Sequence, residues 1–322
     1  MPRLRAMRTS GRVFVLAAAA AAGCGGVTAA TPDGGGDAHV VTIDEACGMV
    51  AQGICDALNR CAPIFFQEQY GDATTCVSRQ TLSCKTDQMV SGVARTADDL
   101  VACAQAVPGL SCPDALASNL PAACQPKPGT VANGAVCGSD LQCQSTFCNK
   151  TDKCGVCAAR GAAGKSCTTD NGCVTGLVCA GQAGSKVCVT PGGMGQTCNL
   201  PNQPCRADLY CTSANGPGTC AARAEAGGAC DSNDACNFFK GNLCNTSDHT
   251  CFTISIAKGG EQCGLLSKTA CVGGVGPCSN IISGVCANPA QDGEACGGNA
   301  VCIPPATCVN KLCQLPSAPD CH

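Results

Sequence analysis

The sequence predicts a small disulfide-rich protein, in which an N-terminal disulfide-bonded helical domain precedes six tandem four-cysteine hairpin repeats. Cysteine supplies 35 of the 322 residues, which is the range of disulfide scaffolds. Aromatic residues make up only 3% of the chain, and tryptophan is absent. Because so few large apolar side chains cannot build one extensive core, we expect covalent bridges to replace it.

Residues 1–23 have the pattern of an export signal. Four arginines without any acidic residue precede ten apolar positions from Val13 to Ala22. This apolar segment is too short to span a bilayer as a stable helix, and its length is typical of a signal peptide. Export places the remaining cysteines in an oxidising compartment, where disulfides persist.

The end of the signal carries a candidate lipid-attachment site. Ala21-Ala22-Gly23-Cys24 resembles the lipobox of bacterial lipoproteins, which implies cleavage before Cys24 and acylation of its thiol. Gly25 is not the aspartate that retains enteric lipoproteins in the inner membrane, so the resemblance favours the outer membrane or cell surface. Cleavage after Ala30 is the alternative, and it would give a soluble, secreted protein.

Charge and composition exclude several classes of partner. Removal of the leader takes four of the 20 Lys and Arg residues and none of the 23 acidic residues, which leaves a net charge of about −7. Nucleic-acid binding is therefore not expected. Metal storage is not predicted either, because no C-x-C or C-C pair occurs and only His39, His249 and His322 could assist. No cofactor is expected, since the sequence has neither a GxGxxG dinucleotide fingerprint nor a GxxxxGK[ST] phosphate loop.

Residues 24–39 are a flexible tether by composition, and residues 40–124 form the helical domain. Capping boxes at Thr42–Glu45 and Thr96–Asp99 each predict the start of a helix, and Asp72 is a third candidate cap. Apolar positions from Cys47 to Leu58 follow the 3.6-residue period. We expect a small bundle tied by four disulfides among Cys47, Cys55, Cys61, Cys76, Cys84, Cys103, Cys112 and Cys124.

Residues 125–133 are interpreted as a linker, after which residues 134–322 hold six units that we call repeats 1 to 6. Their first cysteines are spaced 30 to 33 residues apart, and a glycine stands three positions before each of them. That glycine is expected to take a positive φ and reverse the chain. The third and fourth cysteines flank a short polar or glycine-containing segment, which predicts a hairpin clamped at its base.

Pairing within each repeat stays open, because four cysteines allow three connectivities. Cys157 and Cys321 lie outside the fours, and they pair with each other or each alters the pairing of its own terminal repeat. The fours are Cys137, Cys143, Cys148 and Cys154; Cys167, Cys173, Cys179 and Cys188; Cys198, Cys205, Cys211 and Cys220; Cys230, Cys236, Cys244 and Cys251; Cys263, Cys271, Cys278 and Cys286; Cys296, Cys302, Cys308 and Cys313.

The repeats resemble cysteine-rich modules of the dickkopf N-terminal and EB type, and segments 137–148 and 167–179 carry the likeness best. The leader, the eight-cysteine helical unit and the tandem repeats together resemble the cysteine-rich lipoproteins encoded in families by myxobacteria. That resemblance implies an extracytoplasmic surface location and carries over no catalytic residue. Repeat 5 departs from the pattern through its longer intervals around Cys271 and Cys278.

Three candidate sites have ordinary structural explanations. The Cys154–Cys157 pair has the C-x-x-C spacing of thiol oxidoreductases but lacks a thioredoxin-like setting. His249 lies at a hairpin tip, where a solvated histidine is expected rather than a general base. Asp231–Asp234 and Asp170-Asn171 could donate oxygens to Ca²⁺, although turn formation is the simpler interpretation.

The function that follows is a non-enzymatic, lipid-anchored cell-surface protein that presents its disulfide-stapled repeats for adhesion or protein binding. Rigid loops lose little conformational entropy on binding, which makes them suitable for recognition. The partner would be a protein or another surface ligand. The alternatives are a secreted protease inhibitor, whose rigid loops block a protease as a substrate would, and a thiol oxidoreductase that uses Cys154 and Cys157.

Overall fold

The computed structural model describes residues 40–150, 154–214, 216–273, 277–298, 300–316 and 321. These residues hold 17 disulfides, a helical N-terminal part and a region of repeated four-cysteine hairpins, which confirms the predicted fold class. The predicted signal peptide, Cys24, the tether, His39 and His322 lie outside the described residues. Among the helices in the described ranges, none has the length and hydrophobicity needed to cross a membrane.

The helical domain contains five α-helices: α1 (Ile43–Cys61), α2 (Pro63–Tyr70), α3 (Ala73–Gln88), α4 (Ala97–Ala106) and α5 (Cys112–Leu116). Short 3-10 turns follow at Val107–Gly109 and Ala122–Cys124. Both predicted capping boxes are confirmed, and Asp72 caps α3. In α1 the backbone N–H of Glu45 donates to Thr42 Oγ1 over 3.2 Å, while the Thr42 N–H donates to the Glu45 carboxylate over 2.8 Å.

The core of this domain lies between α1 and α4. Cys47, Val50, Leu100 and Val107 are buried there together. Four disulfides cross-link the elements, as expected for a bundle with few large side chains: Cys47–Cys84, Cys55–Cys76, Cys61–Cys112 and Cys103–Cys124. All eight cysteines of residues 40–124 are therefore bonded within the domain.

The repeats consist of short strands joined by turns. The strands are Val136–Cys137, Cys148–Lys150 and Gly155–Cys157 in repeat 1; Val178–Ala180 and Val187–Val189 in repeat 2; Thr197–Asn199, Leu209–Cys211 and Pro217–Ala222 in repeat 3; Asn242–Asn245 and Thr250–Thr253 in repeat 4; Ser255–Ala257, Gln262–Cys263, Thr269–Cys271 and Gly284–Val285 in repeat 5; Thr307–Val309 and Leu312–Gln314 in repeat 6. Single 3-10 turns occur at Asp140–Gln142, Asp170–Gly172, Asn233–Ala235 and Phe238–Lys240.

In repeats 2 to 6 the first cysteine is bonded to the third and the second to the fourth. The pairs are Cys167–Cys179, Cys173–Cys188, Cys198–Cys211, Cys205–Cys220, Cys230–Cys244, Cys236–Cys251, Cys263–Cys278, Cys271–Cys286, Cys296–Cys308 and Cys302–Cys313. The third and fourth cysteines face each other across the hairpin, as Cys179 and Cys188 do, without being bonded to each other. Both disulfides therefore link the hairpin to the segment before it.

The repeated glycine has the predicted backbone conformation in all six repeats, with φ between 75° and 88°. Its N–H donates to the carbonyl of the fourth cysteine, for example from Gly164 to Cys188 over 2.8 Å. The fourth cysteine in turn donates to the residue after the glycine, as Cys188 does to Lys165 over 2.9 Å. The turn thus joins the entry of each repeat to its last strand.

Repeat 1 corrects one prediction, because its fourth cysteine is Cys157 and not Cys154. Gly134 donates to the carbonyl of Cys157 over 2.8 Å, which is the register that the other repeats use. The bonded pairs are Cys137–Cys148 and Cys143–Cys157. Cys154 is bonded to Cys321 instead, so of the two extra cysteines only Cys157 alters the pairing of its own repeat.

Arginines join neighbouring repeats at two points. Arg160 donates to the carbonyl of Thr146 in repeat 1 over 2.8 Å and to that of Asn171 in repeat 2 over 2.9 Å. Arg223 links repeats 3 and 4 in the same way. Because one guanidinium donates in several directions, it bridges two neighbouring hairpins.

The later repeats pack against the helical domain. Ile303 of repeat 6 is buried with Phe66 and Tyr70 of α2. Arg79 of α3, also buried, forms a 2.6 Å ion pair with Asp292. Further contacts come from Phe238 and Phe239 of repeat 4, whose rings lie 5.8 and 5.7 Å from that of Phe65, and from Gly273 of repeat 5, whose N–H donates to the Glu68 carbonyl over 2.6 Å.

Candidate functional site

The predicted cysteine framework is bonded throughout, which bears on the candidate redox pair. Cys154 and Cys157 belong to two different disulfides, with Cys321 and Cys143 as their respective partners. A C-x-x-C redox site works by opening and closing a bond between its own two sulfurs. The structure does not bring these two sulfurs together in such a bond.

The acidic and amide residues in the repeats hold the backbone. Asp140, Asp170 and Asn233 occupy matching turns, and a side-chain oxygen of each accepts the N–H of the third cysteine of its repeat over 2.7 to 2.8 Å. Burial raises the pKa of Asp140, and the hydrogen bond from the Cys148 N–H opposes that rise. These contacts give the polar stretch a role in turn formation.

The remaining candidates show no catalytic arrangement. His249 stands at a hairpin turn with φ of 56°, and its Nδ1 lies 3.3 Å from the Cys230 carbonyl and 3.5 Å from an Asp231 carboxylate oxygen. In repeats 1 to 5 the first three cysteines place their sulfurs within 4.8 Å of one another. These sulfurs belong to two adjacent disulfides, so they are held in covalent bonds rather than available as thiolates.

Repeat 5 carries an exposed aliphatic cluster that the sequence patterns did not predict. Leu265, Leu266, Ile281 and Ile282 are 61%, 77%, 52% and 56% exposed, respectively. They lie on two loops that touch, since the N–H of Leu265 donates to Ile281 and that of Leu266 to Ile282 over 2.9 and 3.0 Å. We call these four side chains the repeat 5 tip.

The backbone beneath the tip is tightly constrained. Gly264 has φ of 115°, and a Cβ there would lie 2.7 Å from the Ile282 carbonyl, so only glycine allows the loops to approach. The Asn280 side chain accepts from the Ile282 N–H over 2.9 Å. The Cys263–Cys278 disulfide joins the two loops at their base. The tip therefore presents aliphatic side chains from a rigid platform.

The origin of the tip is visible in the spacing of repeat 5. Its first two cysteines are eight positions apart, against six in repeats 1, 2, 4 and 6, and the longer interval contains Leu265 and Leu266. No charged residue occurs from Thr269 to Gln291. Lys268 is the cation nearest in sequence to the repeat 5 tip, and its ammonium lies 4.9 Å from the centre of the Phe252 ring. The longer interval and the two pairs of adjacent aliphatic residues are the sequence features that could have predicted the tip.

Exposed aliphatic residues that cluster on adjoining loops are typical of an interaction surface. Individually exposed leucines are ordinary on protein surfaces, but four on adjoining rigid loops are not. The arrangement can contribute apolar contact area, and it carries no nucleophile, base or metal ligand. Comparison with protein-family models and with curated proteins finds no match for this chain.

Proposed function

We propose that this chain is an exported, non-enzymatic binding protein, which is attached to the outer membrane through an acylated Cys24 and contacts a partner protein through the repeat 5 tip. The dense disulfide framework supports an oxidising location outside the cytoplasm. The lipobox-like segment and the resemblance to cysteine-rich lipoproteins support the anchor. The observation that carries the binding role is the tip, whose four aliphatic residues are each more than half exposed.

A protein pocket suits the tip better than a lipid surface does. Complete burial of a fully exposed leucine or isoleucine contributes about 1.5 to 3 kcal/mol, and each tip residue can still bury the 52% to 77% of its surface that is exposed, so the four together can form an energetic centre. The rigid platform reduces the conformational entropy lost on binding. The net charge of about −7 and the absence of a basic cluster provide no attraction to anionic lipid.

Site-specific photocrosslinking tests the binding role. A photoreactive amino acid at position 266 of the full chain, in intact cells, is expected to give one discrete protein adduct. Met194 of repeat 3 is also exposed, and the same amino acid there is the matched control. Replacing Ile281 and Ile282 with serine should abolish the adduct from position 266. Equal adducts from both positions, or adducts only to lipid, would contradict the proposal.

Mass spectrometry tests the anchor. The protein is extracted in detergent and alkylated before and after reduction. We expect no alkylation before reduction, 34 alkylated thiols after it, and a lipid-sized increment on the peptide that begins with Cys24. A mature chain that begins after Ala30, without lipid, would show the secreted alternative instead.

A further inference from the structure

A cleft opens in the helical domain between α1, α2 and α3 on one side and residues 107–120 on the other. Its free volume is about 70 Å³. Its walls are mainly apolar, and all four leucines that line it are only partly buried: Leu58, Leu110, Leu116 and Leu120. These leucines leave apolar surface in contact with water, and an apolar ligand would remove that surface from it.

Covalent bonds fix the distance between the two walls of this cleft. The Cys61–Cys112 disulfide joins the end of α1 to α5, and Cys103–Cys124 closes the segment that forms the opposite wall. The Arg60 guanidinium donates to the Leu110 carbonyl over 2.8 Å. With its walls fixed in this way, the cleft resists collapse, and a ligand meets a preformed site.

Tyr70 supplies a polar group at the cleft. Tyr70 lines the cleft and is only 6% exposed, and its hydroxyl oxygen accepts from Gln80 Nε2 over 2.7 Å. No described residue accepts the hydrogen of that hydroxyl. Because buried hydroxyls are normally hydrogen-bonded, and a hydroxyl has a donor as well as acceptor capacity, this hydrogen is available to a ligand oxygen.

The lining also restricts the charge of a ligand. No Asp, Glu, Lys or Arg is among the described residues that line the cleft. A carboxylate or ammonium group placed there would lose its hydration without gaining a counter-charge, which is unfavourable. A neutral oxygen needs only one donor, and Tyr70 provides one.

We propose that this cleft binds the hydroxyl end of a neutral, straight-chain amphiphile such as a long-chain alcohol. The ligand oxygen would accept the hydrogen of the Tyr70 hydroxyl. An engineered cavity of roughly 150 Å³ holds benzene, so the smaller cleft accommodates only the first few carbons. The later carbons lie along the partly buried leucines. This site is independent of the repeat 5 tip.

Calorimetric titration of the full chain with 1-alkanols of increasing length tests the proposal. Affinity is expected to rise about fourfold per added methylene until the chain passes the leucines, and the matching carboxylates should bind at least about tenfold more weakly. Ala115→Leu fills the cleft and should abolish binding. Ala73→Leu, the same change at an exposed helical position, is the control. If Ala115→Leu does not fold, Leu116→Phe replaces it.

Tyr70→Phe gives the second readout. It should weaken alkanol binding about threefold to tenfold and leave the affinity for xenon unchanged, because xenon makes no hydrogen bond. Equal alkanol affinity in the cleft-filled and wild-type proteins would overturn the proposal. So would loss of binding in Leu266→Ser with retention in Ala115→Leu, since the alkanol would then bind at the repeat 5 tip.

Discussion

The sulfur atoms of Cys154 and Cys321 are bonded to each other across a sequence separation of 167 residues. This disulfide joins repeat 1 to the carboxyl-terminal end of the chain. Repeat 1 also contacts the helical domain, where Gln142 Nε2 donates to the Ser91 carbonyl over 2.6 Å. Repeat 6 packs against the same domain through Ile303. The array is therefore held at both ends instead of extending freely from the helical domain.

Removal of the Cys154–Cys321 disulfide should destabilise the protein through its unfolded state. Cys154 is exposed, so replacing both cysteines with serine leaves the folded contacts largely intact. A disulfide that closes more than 100 residues contributes about 5 kcal/mol through chain entropy, against about 3 kcal/mol for 15 residues. Disulfides within the intervening repeats shorten the effective loop. We therefore expect the free energy of unfolding, measured with guanidinium in the absence of reductant, to fall by about 3 to 5 kcal/mol.

The control replaces Cys143 and Cys157, which are buried in repeat 1 and close a separation of only 14 residues. That variant should lose the hairpin of repeat 1, seen as rapid amide exchange at residues 148–150. The Cys154 and Cys321 variant should keep those amides protected. An unchanged unfolding midpoint in the latter would show that this disulfide adds no stability.

Local patterns predicted much of this fold because each rests on contacts between near neighbours. A capping box such as Thr42–Glu45 is complete within four residues, and the glycine turn of a repeat depends on one φ angle. The fourth cysteine of repeat 1 was not predictable from spacing. Cys154 and Cys157 both fit the interval, and the Gly134–Cys157 hydrogen bond that distinguishes them forms only when the strands pair.

Sequence patterns did not predict the contacts between the repeats and the helical domain. Arg79 and Asp292 are 213 residues apart in sequence, and neither has a local signature of pairing. The repeat 5 tip was visible only as a longer interval, since exposure depends on how two loops meet. Its four aliphatic residues would ordinarily be assigned to a core.

The repeated glycine can be tested by one alanine substitution. Gly164 has φ of 79°, and a Cβ added there would meet open space, so alanine causes backbone strain and no clash. We expect Gly164→Ala to lower the free energy of unfolding by about 1 to 2 kcal/mol. Gly48 in α1 also has open space but no positive φ, and Gly48→Ala should raise that free energy by about 0.5 to 1 kcal/mol. The same sign for both in denaturant titrations would contradict this account.

Ile303 should be essential for the attachment of repeat 6. It is 7% exposed and lies with Phe66 and Tyr70, so Ile303→Ala leaves a cavity and should cost about 2 to 5 kcal/mol. Hydrogen exchange in the hairpin 307–314 should quicken. Ile281→Ala is the matched control, because that side chain is mostly exposed and its loss should cost under about 0.5 kcal/mol. Similar losses for the two variants would argue against the buried contact.

Asp87 should make the stability of the helical domain depend on pH. Burial raises the pKa of its carboxyl from 3.8 to about 6; Lys150 opposes that rise and Asp140 adds to it. Between these values the folded chain binds more protons than the unfolded chain, so the stability present below about pH 4 is lost as the pH rises through about 6. At 1.36 kcal/mol per pKa unit the loss is about 3 kcal/mol. Asp87→Asn should therefore exceed wild type in unfolding free energy at pH 8 and match it at pH 4.

Asp56→Asn, an exposed change on α1, is the control. A difference between Asp87→Asn and wild type that stays constant from pH 4 to pH 8 would show that Asp87 does not titrate in this range.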